Sequence, residues 1–225
     1  MFRDINLETI PERLLPATTL APYCYSHMFD SCGYLTSIPA GLLPATTLVN
    51  NCYEYMFTGC GYLKSIPAGL LPATTLAPYC YSHMFFGSTL ETIHIDRLPA
   101  TTLSPYCYSH MFDSCRLKNI PRYILPATNL ANNCYEYMFA NNSYITYTPG
   151  LPAENLADDC YKYMFQLCDK LSSVSFGGNT IGLNWTLGWL DRVSKKGTFY
   201  YSYKWLKIER GDYAVPLDWD IIAPD

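Results

Sequence analysis

The sequence predicts an α/β repeat protein: a solenoid with one short parallel strand and one helix per repeat, closed by a Trp-rich C-terminal cap. Three observations predict it. The hexapeptide LPATTL begins at Leu15, Leu43, Leu71 and Leu98 and returns as LPATNL at Leu125 and LPAENL at Leu151, steps of 26 to 28 residues. Each copy is followed by Cys-Tyr at Cys24, Cys52, Cys80, Cys107, Cys134 and Cys160, and then by Met-Phe at Met28, Met56, Met84, Met111, Met138 and Met164. A unit of this size cannot bury its apolar face alone, so neighbours must stack and share a core.

The elements follow within one unit. Leu20, Cys24, Met28 and Cys32 fall at four-residue intervals with Phe29 beside them, which predicts a helix of about three turns. Leu35 and Ile38 before Pro39 predict a short strand, and Pro, Ala and Gly carry the chain around a corner to the next LPATTL. The strand register recurs at Leu7 and Ile10, Leu63 and Ile66, Leu90 and Ile93, Leu117 and Ile120, Ile145 and Thr148, and Leu171 and Val174, so seven parallel strands are expected to stack. Met1-Phe2 and LETIP at 7–11 make residues 1–14 a partial first repeat, and the repeat array runs to residue 176.

Residues 177–225 break the pattern. They hold Trp185, Trp189, Trp205 and Trp219, no Cys, and 12 of the 34 charges, the composition expected of a cap over the exposed end of an array. Within them Asn184 to Val193 is expected as a short helix, and Gly197 to Tyr203 and Val215 to Ile222 as strands.

The chain of 225 residues is 49% hydrophobic and 15% charged, which fits a folded protein and excludes a disordered one. A net charge of −4 argues against nucleic acid as a partner. No apolar run reaches membrane-spanning length, and Met1 is not followed by a basic start and an apolar stretch, so neither membrane insertion nor a secretion signal is expected.

The spacing Met-Phe, two residues, Cys, two residues, Leu, two residues, Ile resembles the BspA-like leucine-rich-repeat family over residues 1–176, with Met-Phe where that family usually has Ala-Phe. The long units with LPATT connectors are similar to surface proteins of gut Bacteroidetes. The resemblance implies a right-handed leucine-rich-repeat solenoid outside the cell, with a role in adhesion to host or neighbouring-cell components.

Ten cysteines invite disulfides, but Cys24 and Cys32 lie about 12 Å apart along one predicted helix. Equivalent cysteines on neighbouring helices would be separated by about 8 to 10 Å. A bridge needs Cα atoms within about 7 Å, so buried free thiols are expected. Ser88 and Asn142 interrupt the second Cys column. No metal-ligand spacing and no cofactor motif is present. His27, His83 and His110 each lie three residues after a Cys, yet Tyr55, Tyr137 and Tyr163 hold the same position in other units, which marks a packing column and not a nucleophile with its base. LPATT differs from a sortase signal in lacking Gly, and Asp158 and Asp159 read as a solvated first turn. Asn141 and Asn184 begin formal glycosylation sequons and carry no further expectation. No catalytic set emerges, and the chain is expected not to be an enzyme.

What remains is surface. The strand face should present Thr36, Ser37, Lys64, Ser65, Thr92, His94, Lys118, Asn119 and Tyr147 as candidate binding residues for a protein or glycan ligand, with Tyr as the anchor type enriched at interfaces. A second expectation places the chain in a phage virion as a structural or receptor-binding component. It rests on the absent signal and on an opening in mid-repeat, where self-association or a partner chain would cover an exposed end. An enzymatic activity would need a pocket in the C-terminal segment.

Overall fold

In the computed structural model the described residues are 2–95, 97–179, 181–203, 206–211 and 214–223; Met1 and Trp205, which the sequence reading invoked, lie outside them. The chain is mostly non-helical, with short parallel strands in two small sheets. Strand β1 (Ser65–Ile66) pairs in parallel with β2 (Thr92–Ile93). Strands β3 (Ser173–Phe176), β4 (Thr198–Tyr201) and β5 (Asp220–Ile222) form the second sheet, in that order and all parallel. A single four-residue helix, α1 (Leu183–Thr186), is assigned among the described residues.

The helix expected in each repeat is absent, and something more regular replaces it. Residues 22–31, 50–59, 78–87, 105–114, 132–141 and 158–167 are unbroken runs of turns. In the first, every second amide closes a turn on the carbonyl three residues back: Cys24 on Ala21, Ser26 on Tyr23, Met28 on Tyr25, Asp30 on His27. The amides between them point away to the next unit: Tyr25 donates to Cys52 O (3.0 Å), His27 to Glu54 O (2.9 Å), Phe29 to Met56 O (2.9 Å) and Ser31 to Thr58 O (2.8 Å). Each run is therefore a turn ribbon, half bonded to itself and half bonded in parallel to its neighbour.

The ribbon explains the four-residue spacing better than a helix does. On an α-helix four residues turn the chain through about 400°, so a strict four-residue series drifts by about 40° per step. The ribbon instead repeats every four residues, and it marks the repeat by a residue in the left-handed region: Tyr23, His27 and Ser31, then Asn51, Tyr55 and Gly59, and so on through Leu167. Side chains four apart consequently share a face, and pairs such as Cys52-Tyr53 and Met56-Phe57 are wholly buried. A non-glycine residue in this region costs on the order of 1 to 3 kcal/mol, which only a strongly determined surrounding sustains.

That surrounding is a set of aromatic columns. Phe2, Phe29, Phe57, Phe85, Phe112, Phe139 and Phe165 stack with centroids 5.3 to 5.7 Å apart. Tyr25, Tyr53, Tyr81, Tyr108, Tyr135 and Tyr161 form a second column at 5.7 to 6.0 Å. The left-handed column itself, His27, Tyr55, His83, His110, Tyr137 and Tyr163, stacks more closely, at 4.4 to 4.8 Å. The LPATT segments line up as well: Thr47 bridges Thr75, and Thr102, Asn129 and Asn155 bridge in series, with the first leucine of each motif and the alanine of every motif after the first buried.

All ten cysteines are free and all but Cys24 are buried. Helix spacing does not keep them apart. Ribbons joined by backbone hydrogen bonds lie about 4.8 Å from each other. In-register neighbours point the same way, so their β-carbons stay at roughly that distance, beyond the ~3.8 Å mean of a disulfide. The second column has a donor role. Cys60, Cys115 and Cys168 give their thiol protons to Phe29 O (3.4 Å), Phe85 O (3.2 Å) and Phe139 O (3.2 Å), each in an earlier unit. Ser88 donates to Phe85 O in its own unit, and buried Asn142 donates to Phe112 O, so both interruptions keep a donor at the position.

The repeat pattern does not stop at residue 176. Residues 183–192 make a further ribbon that accepts from the sixth: Tyr161 donates to Trp185 O, Tyr163 to Leu187 O, Phe165 to Trp189 O and Leu167 to Asp191 O. Gly188 and Arg192 hold its left-handed positions. The helix expected over Asn184 to Val193 thus contracts to α1, because from Leu187 the chain resumes the alternating turns. Strand β4 occupies part of Gly197 to Tyr203 and β5 the end of Val215 to Ile222. Trp189 and Trp219 are buried, and the Trp219 indole donates to Ser194 O (2.8 Å).

Candidate functional site

The candidate residues from the sequence fall into two groups by exposure. Thr36, Ser37, Lys64, His94, Lys118, Asn119 and Tyr147 are exposed, with Ser65 and Thr92 half-buried in β1 and β2. Lys64 and Lys118 are not free cations. Both converge on Glu91, Lys118 by a hydrogen bond to Oε2 and Lys64 at 3.7 Å from Oε1, and the Lys118 contact foremost holds the Glu91 carboxyl below its usual range. Thr36 donates to Glu8 O, and His94 Nε2 lies 3.4 Å from Thr92 Oγ1. These residues form a solvated surface ladder.

Tyr147 is different. It bridges Ser173 at the start of β3, and with Arg122, Thr148, Ser173, Ser175 and Tyr200 it lines a depression of about 610 Å³. The alternation of β3 and β4 turns Val174, Phe176 and Phe199 into the core and leaves Ser173, Ser175 and Tyr200 on the outer face. Ser173 pairs with Thr198 and Ser175 with Tyr200, so the two tyrosines stand diagonally across β3, about 12 Å apart at the backbone by strand spacing and rise. The floor between them is hydroxyl-bearing, with Thr148 Oγ1 held by the Ser175 amide (3.1 Å).

A second recess of about 320 Å³ adjoins the first through Arg122 and Ser175, and Arg97, Tyr123, Gly150 and Gly177 contribute to its walls. Its origin is a change in corner length. Between the strand and LPA motif, the fifth unit has Pro121, Arg122, Tyr123 and Ile124, whereas the sixth has only Pro149 and Gly150. Arg122 and Tyr123 therefore overhang a lowered neighbour, whose Gly150 amide donates to Arg122 O (2.8 Å). Gly177 sits so close to Leu151 O that an added β-carbon would lie 3.2 Å from it, which keeps the next corner low too. Among the described residues no side-chain hydrogen bond or ion pair engages the Arg122 guanidinium, in contrast to Lys64 and Lys118.

Sequence reasoning reached Tyr147 and missed Arg122, Tyr123, Ser173, Ser175 and Tyr200. A signal was present in the step from 27 to 26 residues and in the loss of the PAGLL corner after Thr148. Tyr200 gave none, since its place on a strand continuing the array emerges only from the pairing of β4 with β3.

Elsewhere the chemistry is structural. His27 and His110 hold Asp30 and Asp113 through Nδ1 at 2.9 and 2.8 Å, and Ser31 and Ser114 satisfy the other carboxylate oxygens. Burial pushes the Cys52 thiol up to about 11 and those of Cys60 and Cys168 up to about 12. A thiol so shifted is a poor nucleophile at neutral pH. Among the described residues no cluster of three or more His, Cys, Asp or Glu side chains is placed to hold a metal ion, and no helix is long and apolar enough to cross a membrane. A further recess of about 360 Å³ lies in the C-terminal segment between Leu190–Lys195 and Pro216–Asp218.

No family model, no curated protein and no solved structure matches the chain.

Proposed function

We propose that this chain is a non-enzymatic interaction module: a stacked solenoid of the leucine-rich-repeat kind that presents its strand face to a protein or glycan outside the cell, in an adhesive role. The observation that carries this reading is the double recess around Arg122, with exposed Tyr147, Tyr200 and Tyr123 on its walls and serine hydroxyls on its floor. Concave, aromatic-lined sites with a few convergent polar groups are the usual form of a ligand site. Buried thiols held protonated and histidines committed to structural carboxylates support a binding role over a catalytic one.

Glycan and matrix-protein arrays probed with the wild-type chain and with the Tyr147→Ala/Tyr200→Ala double variant test it. The wild type should bind a defined subset that the variant loses, while its thermal unfolding stays within a few degrees. Equal binding by both proteins would remove the face from consideration. A turnover abolished by one point substitution would sink the non-enzymatic reading.

A further inference from the structure

We infer that the ligand of the Arg122 recess is an anionic glycan, one whose sugar rings lie across Tyr147 and Tyr200 and whose carboxylate or sulfate group meets Arg122. This rests on the binding-module reading and narrows it to a ligand class.

Charge is the first ground. The chain carries a net charge of −4, yet among the described residues the side chains lining the two recesses include Arg97 and Arg122 and no Asp or Glu. Acidic protein with a locally basic cleft favours an anion there and disfavours it elsewhere. The Arg122 guanidinium has no partner among the described residues, and its planar fork matches a two-oxygen group. Lys64 and Lys118, by contrast, share the carboxylate of Glu91.

The floor supplies the second ground. An extended peptide gains affinity by adding to a free sheet edge. Strand β3 offers none, because Thr148 N donates to Ser173 O and Ser173 N to Thr146 O on one side while β4 pairs along the other. The ligand must bind through the sheet face, where Ser173, Ser175 and the tyrosine rings offer hydroxyls and flat apolar surfaces but no backbone ladder. Sugar rings carry hydroxyls at their edges and C–H groups on their faces, which suits hydroxyl groups below and tyrosine rings at the sides.

Affinity electrophoresis of the full chain through gels containing polygalacturonate (carboxylate only), dextran sulfate (sulfate only) or plain dextran (neutral) tests the assignment. The expected result is retardation by one or both charged polymers and none by dextran. Arg122→Gln should weaken binding by about tenfold or more, the scale of a charge-assisted hydrogen bond. Arg122→Lys should fall between. Whichever charged polymer is retarding identifies the anionic group. Retardation by dextran as strong as by the charged polymers, or undiminished binding by Arg122→Gln, overturns the inference. If no glycan binds but a protein ligand depends on Tyr147 and Tyr200, the glycan inference fails and the binding module survives. If neither kind of ligand depends on that face, both fail. Unchanged unfolding temperature of Arg122→Gln, whose parent side chain is exposed, secures the comparison.

Discussion

The turn ribbons and the corners of the same units obey opposite rules. Along the ribbons each position repeats in register: Met, Phe and the first Cys recur in all six units, and even a strained left-handed position keeps a ring that stacks on the next at 4.4 to 4.8 Å. At the corners the sequence drifts from PAGL through HIDR and PRYI to a bare Pro149-Gly150, and the recess around Arg122 opens where the drift is largest. Strong hydrogen bonding between units fixes the ribbon. Corners bond less and face solvent, so they vary without unfolding the array, as loops on a rigid scaffold do.

The contrast is most exposed to failure at Phe112, which sits wholly buried in mid-column between Phe85 and Phe139. Phe112→Ala should cost roughly 3 to 5 kcal/mol, as deletion of a core aromatic does when neighbours cannot close the gap. Neighbours here are pinned by ladder bonds from Phe112 N to Met138 O (2.9 Å) and from Phe85 N to Met111 O (3.0 Å), so collapse is restricted. Denaturant unfolding should show the full loss, while Tyr123→Ala at the corner shifts stability by no more than about 0.5 kcal/mol. Comparable costs for the two variants would mean that ribbon and corner do not differ as described.

The legible part of this protein was its periodicity; the illegible part was what the periodicity meant. Stacking units and short parallel strands follow from the recurrence of LPATTL, Cys-Tyr and Met-Phe, whereas the free thiols were expected from a helix spacing that the ribbons do not have. The expected helix did not form because a strict four-residue repeat is not a helical one, and Leu20, Cys24, Met28 and Cys32 already held that distinction. Hydrogen bonds between ribbons, and the left-handed residues that free alternate amides to make them, leave no mark on residue choice beyond glycine at Gly59, Gly87 and Gly188 and asparagine at Asn51, Asn133 and Asn141. At the site, Tyr147 was legible from its strand. Arg122 and Tyr200 were not, since one depends on a neighbour's missing corner and the other on a strand beyond the recognisable repeat.

A smaller effect should come from His83, at the centre of the left-handed column. Its ring lies 4.4 Å from both Tyr55 and His110, Nδ1 is 2.8 Å from Ser82 Oγ, and Phe86 stands where His27 and His110 find an aspartate. Burial first, and the neighbouring His110 second, push it down to about 4, against a weaker opposite pull from Asp113. An unfolded chain binds this proton from about pH 6.5 downward and the native chain does not until about 4, so stability falls as the pH drops through that window. His83→Tyr, the residue already found at 55 and 137, keeps the stack and removes the proton. Between pH 7 and pH 4 the variant should lose less stability than the wild type, and parallel curves would show that His83 titrates normally.

The smallest expected effect separates stacking from hydrogen bonding within the ribbon. Tyr81 is fully buried between Tyr53 and Tyr108 at 5.7 Å on each side, and the hydroxyls of all three have no partner among the described residues. A buried hydroxyl without a partner costs roughly 1 to 3 kcal/mol in lost solvation. Burial also pushes its pKa well above the ordinary phenol range, so it contributes no charge to the column. Tyr81→Phe keeps the ring and removes the cost, and it should leave stability unchanged or raise it by up to about 1 kcal/mol. A loss of more than that would show that the hydroxyl is engaged, and that the column is held by polar contacts as well as by the stacked rings.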